Sequence, residues 1–202
     1  MPGEQGVTET SDWELLEGST AEDAGGFAVL VERHHAPAVA FCEQVLGDHQ
    51  LAEDVVQKGF VNIFNARERF ERRARFKALL YRVLLNLCLN ELERKVPAAH
   101  LGSMGSEEGK GVEALVRDEQ SRPPDHEILN RELANMLHRA ILKLPPKHRA
   151  ALYLREYVQM SYADIASVLG ANLGEVKIWI HRGRAAVQSL IQPYLDKGEA
   201  VR

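Results

Sequence analysis

Ser161–Arg184 reads SYADIASVLGANLGEVKIWIHRGR, and its punctuation is that of two short helices joined by a tight turn. Tyr162, Ile165, Ala166 and Leu169 recur at i, i+3, i+4 and i+7, which makes one apolar stripe on a helix. Ser161 precedes the stripe and Asp164 follows three residues on, so their side chains can satisfy the orphan amides of the first turn. Gly170 can take the left-handed conformation that a helix C-cap needs. Asn172 and Glu175 repeat the capping pattern, and a second stripe follows at Val176, Ile180, Gly183 and Val187. Two capped helices around so short a break predict a helix-turn-helix. At about 100° per residue, Gly174, Ile178, His181, Arg182 and Ala185 point away from that second stripe, with Lys177, Trp179 and Arg184 on its flanks. A basic, donor-rich outer face suits an element lying in a DNA major groove. A solvated helix of an ordinary bundle shows similar charges, so the rest of the chain has to decide.

Charge decides part of it. The net charge is −4 over 202 residues, which by itself argues against a polyanion ligand. The distribution argues for one. Residues 1–66 carry two basic and twelve acidic side chains, residues 67–95 nine and four, residues 96–130 three and seven, and residues 131–202 eleven and six. Two basic blocks separated by acidic ones suit two separate DNA contacts, because local potential matters more than the total. Hydrophobic residues at 45% suffice for real cores, and no apolar run approaches a membrane span. The N-terminus has neither a basic nor an apolar leader segment, so no secretory signal is read there. Cys42 and Cys88 lack metal or redox spacing and lie in apolar helical stretches, as buried reduced thiols of a cytoplasmic protein do. No metal site or cofactor is indicated by the scattered histidines.

In order, residues 1–26 are acidic and without sustained period, predicting a mobile acidic tail in which Trp13, Leu15 and Leu16 form at most a fleeting turn. FAVLVERHHAPAVAFCEQVL (27–46) is helical in pattern, with Pro37 expected to kink or divide it. LAEDVVQKGFVNIFNA (51–66) carries Leu51, Val55, Val56, Phe60, Ile63 and Phe64 at helical spacing. A connector then holds arginines 67, 69, 72, 73 and 75, and FKALLYRVLLNLCLNELERK (76–95) is helical and apolar over most of its circumference. These make one helical domain over 27–96. Residues 97–127 are rich in glycine and acids and predict a flexible linker. A second helical domain over 128–195 begins with a stripe at Leu133, Leu137, Ala140, Ile141 and Leu144. Pro145-Pro146 stops that helix and starts KHRAALYLREYV. The helix-turn-helix closes this domain, and PYLDKGEAVR is expected to fray. The fold class is therefore all-α, two small helical domains on a linker, the C-terminal one a helix-turn-helix.

At this point four stretches in register (LAEDVVQ, FKALLYRVLLNLCLNELER, LPPKHRAALYLREY and SYADIASVLGANLGEVKIWIHRGR) resemble the sigma factors of bacterial RNA polymerase, in the compact ECF (extracytoplasmic function) group. The resemblance runs from about Phe27 to Leu190. It implies two helical domains corresponding to sigma regions 2 and 4, binding to core RNA polymerase and to promoter DNA, no catalytic residues, no cofactor and a cytoplasmic location without membrane insertion. It leaves room for an anti-sigma factor as a further partner. By the same resemblance Asp54 and Gln57 lie on the helix that docks on polymerase, where Lys58 replaces the family's usual acid. Asn65 to Ala74 correspond to the loop that captures a flipped base of the minus-ten element. Arg69, Arg72, Arg73 and Arg75 suit phosphates of a strand being opened, and Asn86 and Asn90 match positions turned toward that DNA. An amide at either position serves equally to bond a neighbouring carbonyl or water. Leu79 stands where the family has tryptophan. Lys177, Ile178, His181, Arg182 and Arg184 match the recognition helix for the upstream, minus-thirty-five element. Ile178 and Trp179 depart there from the small polar and basic residues that are usual.

A competing class is a free-standing helix-turn-helix regulator binding an operator as a dimer on paired half-sites. The basic block 67–95 is an odd surface for the ligand-sensing pocket such a protein needs. A helical enzyme finds no support, since the chain has no phosphate-loop glycines, no HExxH and no nucleophile elbow.

Overall fold

The structure, a computed structural model, describes residues 11–20, 23–70, 75–95 and 136–199, and among them every regular element is helical. The linker expected over 97–127 lies outside the described residues, as do Arg72 and Arg73.

Helix α1 (Asp12–Glu17) opens the described chain where a mobile tail was expected. A full capping box builds it: the Ser11 amide donates to Glu14 Oε2 at 2.9 Å, and the Glu14 amide to Ser11 Oγ at 3.3 Å. Six residues are too few for a stable isolated helix, so tertiary contacts hold it. Leu16 is completely buried, and the Trp13 ring meets Phe76 edge-on with centroids 6.0 Å apart. Asp12 accepts from Arg33 at 2.6 Å and pairs with His34 at 2.9 Å.

Helix α2 (Gly25–Leu46) runs unbroken through Pro37. The expected division does not occur, because Pro37 sits on the exposed side while Leu30, His34, Ala38, Phe41, Cys42 and Val45 pin the other face into the core. A proline on the solvent side removes one backbone bond where water can replace it. Gly47 ends α2 at φ 75°, its amide bonded to Glu43 O. Asp48 then caps α3 (His49–Asn65) by accepting from the Leu51 amide at 3.0 Å. A single 3-10 turn at Arg67–Arg69 follows, and then α4 (Phe76–Lys95). Helices α3 and α4 meet closely at Gly59, where an added Cβ would lie 2.6 Å from Leu84 Cδ2. Phe41, Val55, Ile63, Leu80 and Leu84 are among the side chains that fill this first core.

The C-terminal elements are α5, described over 136–142, α6 (Pro146–Glu156), α7 (Tyr162–Leu169) and α8 (Leu173–Glu199). Pro146 starts α6 as its spacing suggests. The caps of the helix-turn-helix form as read. Ser161 Oγ accepts from the Asp164 amide at 3.1 Å, and Gly170 takes φ 59°. Asn172 and Glu175 bond each other's amides at 2.8 and 2.9 Å. Helix α8 continues through Pro193 to Glu199, where a frayed end was expected.

The two helical units pack on each other. Helix α6 lies against α2, and α7 against α4. Phe41 and Tyr153 stack edge-on across the seam at 5.8 Å between centroids. Leu142 reaches Gly47, where a Cβ would stand 3.1 Å from its methyl. Arg82 of α4 donates through Nε and Nη2 to Ser167 O at 3.2 and 2.7 Å, with Nη2 also 3.1 Å from Ser167 Oγ. One continuous apolar cluster therefore runs through both units.

Candidate nucleic-acid interface

Helix α8 has the faces that its periodicity implies. Val176 and Ile180 are buried, while Gly174, Lys177, Ile178, His181, Arg182 and Ala185 are exposed. Gly183 sits on the core side because α6 passes close: a Cβ there would stand 3.1 Å from Leu152 Cδ2. Trp179 belongs to the packing. Its indole stacks on His148 of α6, centroids 5.5 Å apart and planes 26° from parallel. Burial, and secondarily the nearby Arg182 charge, hold the His148 imidazole below its ordinary pKa, which favours the neutral ring in this stack.

The two arginines of this helix differ in circumstance. Arg182 is exposed on the outer face. Arg184 is drawn back onto α6, giving Nε and Nη2 to Glu156 Oε1 at 2.9 and 2.6 Å. That hydrogen bond, and then the carboxylate's charge, push the Arg184 pKa up. A phosphate seeking Arg184 must therefore compete with Glu156.

On α4, Asn86 and Asn90 are exposed one turn apart, and Arg82 lies one turn earlier on the same line. The amides point outward, while Arg82 is held by Ser167. Leu79, in place of the family's tryptophan, is half-buried. In the connector Arg69 and Arg75 are exposed. Arg67 is a brace: Nε donates to Ser19 O and Nη1 to Phe64 O, both at 2.9 Å, with its guanidinium 4.4 Å above the Phe64 ring. Ser19 is itself buried and bonds Leu15 O at 2.6 Å. The α1 segment thus props up the base of the arginine connector, which no periodicity in an acidic, glycine-rich stretch could reveal.

Asp54, Gln57 and Lys58 share one exposed face of α3, and Val61, half exposed, extends it by a turn. Val61 lies off the apolar stripe of this helix, and its residue type alone carries no signal of an exposed contact. Lys58 faces Glu91 of α4 at 3.6 Å, and Glu91 is also bonded by Arg94 at 3.0 Å. The reversed charge is thus partly offset within the molecule. Cys42 and Cys88 are both fully buried, and a hydrogen bond to Cys88 together with burial raises the Cys42 thiol far above its ordinary range. Among the described residues no cluster of metal ligands exists, and no helix is long and apolar enough to cross a membrane.

Exposed cations and amides thus lie on α8, α4 and the connector. Comparison with known proteins shows the family. The family model for Sigma-70 region 2 matches residues 30–96, and that for Sigma-70, region 4 matches residues 134–187. The RNA polymerase sigma-H factor of Pseudomonas aeruginosa is 31% identical over 94% of this chain and 98% of its own length. The chain belongs to the sigma-70 family.

Within that family the ECF RNA polymerase sigma factor SigW of Bacillus subtilis is 29% identical over 84% of this chain and 91% of its own. The sigma factor's fold is shared by CnrH, solved in complex with the cytosolic domain of CnrY, at TM-score 0.62 and 24% identity over 91% of this chain and 99% of that one. It is shared also by RpoE of Bartonella quintana, solved with the anti-sigma factor NepR, at TM-score 0.62 and 21% identity over 82% and 96%. The protein is an ECF sigma factor that directs promoter recognition and transcription initiation.

Proposed function

We propose that this sigma factor divides its work among three exposed faces. The α3 face with Asp54, Gln57 and Lys58 docks on core RNA polymerase, with Lys58 seeking an acidic counterpart there. Arg69, Arg72, Arg73 and Arg75 hold the phosphates of the minus-ten strand as it opens, and Asn86 and Asn90 read its bases. Helix α8 holds the upstream element as duplex: Lys177, Ile178 and His181 face the base edges, Arg182 anchors a phosphate, and Arg184 joins once it leaves Glu156. The chain supplies no chemistry of its own to the polymerase and works in the cytoplasm. Residues 27–96 and 128–195 serve as the two working units, joined through 97–127.

The observation that carries this reading is the separation of exposed, chemically distinct surfaces on α3, α4 and α8 over cores whose stripes point elsewhere. A protein partner of the anti-sigma kind fits the same scheme by keeping α7 seated on α4, since Arg82 is then occupied by Ser167. The deciding experiment is co-purification with core polymerase followed by run-off transcription on promoters selected from a random library. One-to-one association with promoter-dependent transcripts is expected. Operator binding by the chain alone, as a dimer and without polymerase, would overturn it.

A further inference from the structure

Three features of α8 fit no ordinary polar readout of bases. First, Ile178 stands opposite the core: at about 100° per residue it lies some 160° around from both Val176 and Ile180, and 51% of its surface is exposed. Second, although His181 and Arg182 stand one turn on, the strip before and beyond them is nearly without side chains. Gly174, one turn before, and Ala185, two turns after, are both exposed. The backbone of the first turn can therefore approach base edges closely, with Ile178 as the projecting group. Third, the other large apolar side chain beside it is committed, because Trp179 stacks on His148. Exposed donors, Lys177 and Arg182, flank the strip. A lone exposed isoleucine is unremarkable on a protein surface, but one centred between cations on the outward line of a recognition helix faces a groove.

An isoleucine cannot donate or accept a hydrogen bond. In the major groove the one apolar feature distinguishing a base pair is the C5-methyl of thymine. We propose that Ile178 is a specificity-determining residue that selects a thymine in the upstream element by packing on its methyl group. Arg182 beside it sets register on a phosphate and carries no sequence information. This inference rests on the assignment of α8 to the upstream duplex. The flanking positive charge favours DNA over an apolar protein surface as the occupant.

The test uses holoenzyme on upstream duplexes selected from a random library, with each thymine replaced singly by deoxyuridine, which removes only the methyl. Burying one methyl corresponds to about fourfold in affinity. At one thymine, wild type should bind the deoxyuridine duplex about fourfold more weakly, and Ile178→Ala should bind both duplexes alike at the weaker level. Ile178→Val should retain part of the discrimination. Because Ile178 is exposed, neither variant should alter folding, which a thermal melt checks. Equal thymine-to-deoxyuridine ratios for wild type and Ile178→Ala at every position would overturn the proposal. So would a selected element without thymine, or an Ile178→Ala loss that is the same on both duplexes, which would mark a sugar or protein contact. The underlying assignment fails separately if Lys177→Ala and Arg182→Ala leave the salt dependence of upstream binding unchanged.

Discussion

Arg182 and Arg184 look interchangeable in sequence, both basic and both on the outer half of a recognition helix. The structure separates them by partner. Arg184 is tied to Glu156, so a phosphate contact by Arg184 would first have to break that ion pair. Arg182→Ala should lower the salt slope of holoenzyme binding to the upstream duplex by about one unit, as for a single lost phosphate contact. Glu156→Gln should do the opposite, freeing Arg184, raising affinity and steepening the slope by up to about one unit. Titration of binding against salt reads both, and a slope that Glu156→Gln leaves unmoved would mean Arg184 never meets DNA. The histidines offer a second contrast at this scale. Burial is the main cause that lowers the pKa of His34, although Asp12 opposes it, whereas the hydrogen bond that His49 gives to Glu43 raises that of His49. NMR titration should find His34 below about 6.5, the ordinary histidine value, and His49 above it. The unfolded chain then takes up the His34 proton first as pH falls. The stability His34 contributes is present above about pH 6.5 and is lost as the pH drops through its lower folded-state value.

At the scale of elements, the helix-turn-helix was legible because its signals are local. Ser161, Gly170 and Asn172 announce their roles by type and spacing, and those caps form. Helix α1 was not legible, because what holds it is remote: Asp12 waits for Arg33 and His34, Trp13 for Phe76, and Leu16 for a pocket that no local pattern describes. Pro37 does not divide α2, since a rule about backbone bonds does not record which face of the helix meets water. Trp179 was placed on a flank correctly, yet its partner His148 could not be read from spacing. The buried fit of α1 gives a sharp expectation. Leu16→Ala should cost about 2–5 kcal/mol by thermal or denaturant unfolding. If the α1 segment steadies the connector through Ser19 and Arg67, the same variant should lose more transcription on duplex promoters than on promoters with a pre-opened minus-ten bubble. Equal losses on the two templates would leave α1 a stability element only.

At the scale of the molecule, apolar stripes on α2 and α6 look from sequence like two private cores. Part of each is a shared seam, as Phe41 and Tyr153 demonstrate. Whether stripes from two units face one another depends on surfaces, and spacing within a helix carries no such information. The polar contact in that seam, Arg82 on Ser167, lies on the same line of α4 as Asn86 and Asn90. Arg82→Ala should loosen α7 from α4, lengthening the distance between fluorophores placed on the two units of the free protein. It should also speed labelling of Cys42 and Cys88 by a thiol reagent, because α6 lies over α2 on that side. Unchanged distance and labelling would show that apolar packing alone holds the units together.

The seam also bears on attempts to rewire transcription by exchanging recognition modules between sigma factors. A transplanted helix-turn-helix would arrive without a surface shaped to Phe41, Gly47 and Arg82, and the hybrid would lose the packing between its two units. Such hybrids should hold their two units less firmly than either parent, and restoring the seam would mean carrying Leu142, Tyr153 and Ser167 along with α8.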